Sequence, residues 1–280
     1  MTDLARRFGR ERPAVAGLVI LAVIVGAALF GPVLWRLSPI AIAHANLGFP
    51  LPPSAAHPFG TDLLGRDQLA RALQGARVSL TVGVTAMVVS VVIGALYGAV
   101  SGFAGGTTDN LMMRFVDAML SFPTFFLIIT VEALTNRFSL GVIVLVIGLL
   151  SWMGVARLVR AEVLTLKQRD FVEAARALGA GPVRLIGRHL LPNALAPVAV
   201  AAALAIGDNI LIEAGLSYLG LGIQVPTASW GNMLQDALGP TAIGAPWLVA
   251  VPGALIVLTL LAFNLVGEGL RVAFDRSIVQ

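Results

Sequence analysis

Few residues in this 280-residue chain have the chemistry of a catalyst. There is no cysteine, so disulfides and cysteine metal sites are both excluded. The three histidines are His44, His57 and His189, and no two have the helical spacing that holds zinc. The only lysine is Lys167, in "LKQRD". A phosphate-binding loop needs Gly-x-x-x-x-Gly-Lys-Ser/Thr, with the lysine on the phosphates, and Lys167 has no such surroundings. The chain is therefore not expected to hydrolyse ATP by that route. What remains is a set of carboxylates and amides in apolar surroundings: Asp208 beside Asn209, then Glu213, with Asp117 and Glu268 elsewhere. A carboxylate at mid-membrane costs about 2.5–3.5 kcal/mol, so it should face a bundle interior or a watery path. Asp208 is the best candidate for such a path and Glu213 lies nearer the far end of its segment.

The elements that position these residues are membrane spans. The chain is 58% hydrophobic and 12% charged, whereas soluble domains carry about 25% charged residues. A spanning helix needs about 20 mostly apolar residues. Six segments qualify: Ala14–Trp35, Val78–Val100, Leu111–Leu134, Ser139–Arg157, Asn193–Ala214 and Ala245–Gly267. The expected fold is an all-α integral membrane protein with six transmembrane helices. The first segment has a basic leader and is followed by "AIA" at Ala41–Ala43, which resembles a cleavage site. Its apolar core exceeds the 7–15 residues of a secretory leader, so a retained helix is expected. Gly94, Gly98 and Gly102 recur every four residues, a spacing that lets two backbones approach closely. Pro123 and Pro197 are expected to kink their helices.

Arginine placement sets the expected orientation, because basic loops stay in the cytoplasm. Residues 1–13 carry Arg6, Arg7, Arg10 and Arg12; the loop 158–192 is rich in arginine; the tail 268–280 carries Arg271 and Arg276. The loop Leu216–Gly244 has neither arginine nor lysine. Both termini and loop 158–192 are therefore placed in the cytoplasm. The loop 36–77 disagrees, since it would lie outside yet holds Arg36, Arg66, Arg71 and Arg77.

One charged stretch stands apart: "DFVEAARALGAGP", Asp170–Pro182. Asp170 with Glu173 three residues on resembles a capping box. Gly179 is expected to stop the helix in the left-handed region and Pro182 to start another. Phe171, Ala174, Ala175 and Leu178 fall on one face by the i, i+3, i+4, i+7 rule. So short a helix is marginal in water and needs a surface to pack on. Its alanine-rich face suits a protein groove better than a lipid surface.

"EAARALG" at Glu173–Gly179, followed nine residues later by "HLLP" at His189–Pro192, resembles the EAA loop of permease subunits of ABC importers. His189 stands where the general pattern has isoleucine, and "HLLPN" at His189–Asn193 is similar to the peptide-permease branch. "HPFGTDLLGRDQLARALQGARVSL" at His57–Leu80, "MRFVDAMLSFP" at Met113–Pro123, "LSYLGLGIQVPTASWGNML" at Leu216–Leu234 and "AFNLVGEGLR" at Ala262–Arg271 extend the resemblance. It points to the second permease subunit of dipeptide, oligopeptide and nickel importers. The resemblance implies a type I, MetI-like permease fold in the bacterial inner membrane. It implies no cofactor in this chain, with ATP and magnesium on two partner ATPase subunits, a second homologous permease, and an extracytoplasmic substrate-binding protein. Besides membrane lipid, no nucleic acid is expected as a partner. The docking residues would be Asp170, Phe171, Glu173, Ala174, Ala175, Leu178 and Gly179, and the pathway residues Asp208, Asn209 and Glu213.

Further residues have structural readings. Arg114 and Asp117 are spaced for an i, i+3 pair, as are Glu268 and Arg271. "GRD" at Gly65–Asp67, with Arg71 and Arg77, either contacts a binding protein or caps the bundle. Trp230 is expected to anchor an outer loop at the membrane interface. Three rival functions stand beside a peptide importer: a nickel or glutathione importer permease, a secondary transporter working without an ATPase, and an intramembrane enzyme. The last lacks a histidine in any expected span.

Overall fold

The structure, a computed structural model, describes residues 2–42, 48–135, 139–239 and 244–274. His44 and Arg276 lie outside the described residues, as does Ala43 of the "AIA" stretch. The helices are α1 (Thr2–Arg10), α2 (Arg12–Leu34), α3 (Gln68–Ala104), α4 (Gly106–Leu120), α5 (Thr124–Thr135) and α6 (Leu140–Leu166). Then follow α7 (Asp170–Ala177), α8 (Pro182–Arg184), a π-helical stretch (Leu185–Leu190), α9 (Leu191–Asn193), α10 (Leu195–Tyr218), α11 (Trp230–Asp236) and α12 (Trp247–Phe274). Five of these, α2, α3, α6, α10 and α12, are long and apolar enough to cross a membrane, and α4 with α5 forms a sixth, broken candidate.

The break has the expected cause. Pro123 follows α4, and the axes of α4 and α5 differ by 78°. Pro197 behaves differently. It occupies the first turn of α10, where a missing N–H leaves no helical bond unmade. Two spans exceed their expected length. α3 begins at Gln68 because Asp67 caps it, its side chain accepting from the Ala70 N–H at 2.7 Å. α6 continues past Arg157 to Leu166, keeping Val159 and Val163 on its buried stripe.

α3 and α6 form the spine of the bundle, and small residues set their separation. A Cβ built on Gly94 would lie 2.7 Å from the Trp152 carbonyl oxygen, and one on Gly102 would lie 2.8 Å from that of Arg160. Gly98 faces the Ala156 carbonyl just as closely. These three glycines therefore serve packing. Asp109, Arg160 and Ser101 pin the same seam: Arg160 donates twice to Asp109 at 2.6 Å, and Ser101 Oγ donates at 2.5 Å. α2 lies against α3 and α12. Arg77 of α3 donates to the backbone carbonyls of Ala28 and Leu29, the latter at 2.7 Å. The Ala28 carbonyl needs that donor because Pro32, its i+4 partner in α2, has no N–H.

The bundle has two chemically distinct ends. One carries α1, the start of α2, the end of α3, α7 and the end of α12, and holds most of the arginines. The opposite end carries residues 48–67 and α11. There Arg66 donates to Asp62 at 2.6 Å and to Asp236 at 3.0 Å, and Arg71 donates to Asp236 at 2.7 Å. Arg66, Arg71 and Asp62 are buried. Of the four arginines in loop 36–77, Arg66 and Arg71 are thus neutralised internally and Arg77 is bonded to carbonyls. "GRD" thus caps the bundle, with Asp67 also accepting from Trp35 Nε1 at 2.9 Å and lying 2.7 Å from His57 Nδ1.

Trp230 is a correction. It is fully buried, donating Nε1 to the Ala72 carbonyl at 3.2 Å. Ser229 and Asn232 form a reciprocal capping box that starts α11 and turns the indole inward between α3 and α10.

Candidate functional site

α7 is built much as its sequence foretells at its end and differently at its start. Gly179 has φ +85°, in the left-handed region that glycine adopts without a Cβ penalty. The Ala180 N–H reaches the Ala175 carbonyl at 3.0 Å and the Gly179 N–H that of Arg176 at 2.9 Å, the paired bonds of a Schellman stop. Pro182 then opens α8 from the N1 position. At the start there is no capping box. Arg169 occupies the N-cap position and no side chain caps the helix. Asp170 and Glu173 both sit within the first turn, where their charges oppose the positive end of the helix dipole.

The orientation of α7 also differs from the expected stripe. Val172 is fully buried, in a cluster with Val159 and Val163 of α6, Ala99 of α3, and Leu185 and Leu190 of the π-helical stretch. Ala175 is partly buried against the same cluster. Phe171, Ala174 and Leu178 face away from the bundle, with Leu178 90% exposed. Val183, on α8, is exposed as well. The segment therefore has one face that anchors it to the long helices and another that leaves apolar side chains exposed. Val172 escaped sequence reading because the stripe from Phe171 to Leu178 was the more conspicuous. The signal was the offset stripe Val172, Ala175 and Gly179, which has the same helical period.

The carboxylates of α10 separate into two environments. Asp208 is exposed. It lines a cleft of about 200 Å³ with Thr124, Ser151, Gly154 and Asn209, beside the break between α4 and α5. Ser151 Oγ is buried there with no hydrogen-bond partner among the described residues. Asn209 is buried, its amide 3.5 Å from the Gly83 carbonyl. Glu213 does not reach open space in this conformation. It is fully buried and accepts from Ser79 at 2.9 Å and Ser217 at 2.6 Å, which ties α10 to α3.

Two expected surface pairs resolve differently. Asp117 pairs with Arg157 of α6 rather than with Arg114 of its own helix, since the end of α4 faces α6. Glu268 and Arg271 meet at 3.5 Å on an exposed face. His57 is engaged with Asp67.

Comparison with known proteins agrees with this arrangement. A family model described as the inner membrane component of binding-protein-dependent transport systems matches residues 90–280. A second, described as the N-terminal TM domain of oligopeptide transport permease C, matches residues 1–53. The chain is 41% identical over 276 residues to the oligopeptide transport system permease protein OppC of Haemophilus influenzae, spanning 98% of this chain and 87% of that protein. It is 40% identical over 277 residues to the dipeptide transport system permease protein DppC of Bacillus subtilis, spanning 99% of this chain and 85% of that one. Among solved structures, an inward-facing MetNI methionine ABC transporter matches with TM-score 0.54 at 19% identity, covering 73% of this chain and 96% of that chain. At that identity the likeness concerns the fold, an all-α type I ABC importer permease.

Proposed function

The chain belongs to the inner membrane component family of binding-protein-dependent transport systems, and from that premise we propose that it is a peptide-importer permease driven through α7 by separate ATPase subunits. The observation that carries this reading is the divided surface of α7, anchored by Val172 and exposing Phe171, Ala174 and Leu178. A groove in an ATPase subunit would receive those exposed residues, with Asp170, Glu173, Ala175 and Gly179 holding the helix in shape for it. ATP and magnesium sit on two such subunits, whose closure pushes α7 and rocks the bundle through α6 and α3. A second homologous permease completes the pathway, and an external binding protein delivers cargo. Peptides are the favoured cargo because the similar proteins are oligopeptide and dipeptide permeases.

The basic end, with both termini and α7, faces the cytoplasm in this reading. Internal pairing of Arg66 and Arg71 with Asp62 and Asp236 removes the principal objection from charge. Asp208, with Thr124, Ser151 and Asn209, lies on the path taken by the peptide, while Glu213 holds α10 in register with α3.

Reversing one charge tests the docking role. Glu173→Lys places a cation against the helix dipole and on the docking side, without touching the buried Val172. Peptide uptake by cells carrying this variant is expected to fall at least tenfold while the protein remains in the membrane and its ATPase partner no longer co-purifies. Normal uptake with normal ATPase association overturns the proposal. Because the chain has no cysteine, a single cysteine at Leu178 reports orientation directly: an impermeant thiol reagent should label it only in inside-out vesicles.

A further inference from the structure

Asp208 stands near the middle of the spanning helix α10 with no charge to balance it. Asp62, Asp67, Asp109, Asp117 and Asp236 each meet a basic side chain. Asp208 meets none among the described residues, and its carboxylate accepts no hydrogen bond there. Glu213, the other carboxylate of α10, is satisfied by Ser79 and Ser217. The cleft beside Asp208 has the same unfinished character. Three helices converge on it: α10 brings Asp208, α6 brings Ser151 and Gly154, and α5 brings Thr124 at its first residue. No basic residue lines it among the described residues, and most of the remaining lining is aliphatic. Ser151 Oγ is shielded from solvent without a partner. Gly154, one turn along α6, leaves room, since an added Cβ there would meet nothing within 4 Å.

An unpaired carboxylate in a spanning helix is costly, and its cost falls when a cation arrives. Apolar walls make that attraction stronger than it is in water. The acceptors fit an ammonium. It carries three donors and no acceptor, and the lining offers a carboxylate and two hydroxyls. A hard metal ion needs six or more oxygens, and the described residues hold no cluster of three metal-ligating side chains. At about 200 Å³ the cleft is smaller than the pockets of about 300–1,000 Å³ that enclose whole small-molecule ligands, so it receives one end of a cargo. We propose, resting on the peptide-permease reading above, that this cleft takes a primary ammonium group of the passing peptide, with Asp208 as its counter-charge and Ser151 and Thr124 as further acceptors. The group is the α-amino terminus or a lysine side chain. Both present the same chemistry, and acetylating one at a time separates them. Asp208 then selects for charge within the permease itself, after the binding protein has released the cargo.

Cysteine protection in the purified transporter complex tests this without the binding protein. Gly154→Cys places a single thiol in the cleft of an otherwise cysteine-free chain, and its rate of reaction with a small neutral methanethiosulfonate is followed as peptide is added. Ala-Lys-Ala is expected to protect the thiol at a concentration about tenfold or more below that of the same peptide acetylated on both amines, a difference of about 1.4 kcal/mol. Acetylating only the α-amine, or only the lysine, shows which ammonium is held. Asp208→Asn keeps the side chain's shape and removes its charge, so in that background charged and acetylated peptides should protect alike. Thermal unfolding establishes that each variant is folded. Equal protection by charged and fully acetylated peptides, or a difference that survives Asp208→Asn, overturns the proposal. Loss of the second permease from the Asp208→Asn complex also overturns it, since the carboxylate would then pair with a neighbouring subunit. Peptide uptake by the unmodified transporter is scored separately. Uptake without charge-dependent protection removes the ammonium site and leaves the importer reading standing, whereas protection without uptake of any peptide removes the importer reading.

Discussion

At the scale of single residues, Val172 and Leu178 share one short helix and have opposite duties. Val172 has no exposure and Leu178 is nearly all exposed. Fully burying a valine contributes about 1.5–3 kcal/mol, and a serine there would also bury a hydroxyl. Val172→Ser is therefore expected to free α7 from the bundle, raising hydrogen exchange across Asp170–Leu190 and lowering thermal stability. Leu178→Asp removes nothing from the chain's own core, so exchange and melting should stay as in the wild type while ATPase association is lost. If both variants lower stability equally, the division of faces is wrong. The Schellman stop was legible in "LGAGP" because Gly179 and Pro182 each have a narrow conformational repertoire. The start was not legible. Asp170 is a good capping residue and a good first-turn residue alike, and the choice between them depends on where Leu166–Arg169 leaves α6.

At the scale of elements, six apolar segments were readable from hydropathy alone, because a spanning length is a strong constraint. The ends of α3 and α6 were not, since those helices run on past the apolar run into polar residues held by tertiary partners. Asp109 with Arg160 was invisible for the same reason: residues 51 apart share a seam only after α3, α4 and α6 have packed. The clamp between Arg77 and α2 shows what such long-range pairing does. Pro32 leaves the Ala28 carbonyl without a helical donor, and Arg77 supplies one. Leaving a buried carbonyl unpaired costs about 1–3 kcal/mol. Arg77→Ala is expected to lower stability by that amount, with α2 loosened from α3. Pro32→Ala restores an N–H within α2, so in that background Arg77→Ala should cost markedly less. The coupling in the double-mutant cycle should reach about 1 kcal/mol, within the range for residues that share a partner. Additive effects in denaturant or thermal unfolding would show that Arg77 acts through the Leu29 carbonyl or by packing instead.

For the whole molecule, the two ends are held by different means and share one pair of helices as their spine. The basic end is an apolar cluster around Val172, Leu185 and Leu190, while the opposite end is an ionic cluster of Asp62, Arg66, Arg71 and Asp236. Two positive and two negative groups make that cluster electrically neutral, which is why it can be buried. Burial pushes the Asp236 carboxyl above the usual carboxylate range, and the Arg71 and Arg66 guanidiniums act in the opposite direction. Asp236 belongs to α11, whereas Asp62 and Arg66 precede α3 and Arg71 lies in its first turn, so these charges are the fastening between two separate stretches of the opposite end. Removing one member of a buried pair leaves its partners uncompensated, at about 3–5 kcal/mol. Asp236→Ala should fall near the lower bound because its side chain is itself 28% exposed. The expected result is a loss of amide protection across α11 and residues 48–67, with Trp230 fluorescence shifted to the red as water reaches the indole. Protection in α7 should be unchanged, because no residue of the ionic cluster belongs to the apolar cluster around Val172. A simultaneous loss at both ends would instead mean that α3 and α6 transmit the disturbance along their whole length, and the bundle would then be one cooperative unit rather than two fastened ends on a shared spine.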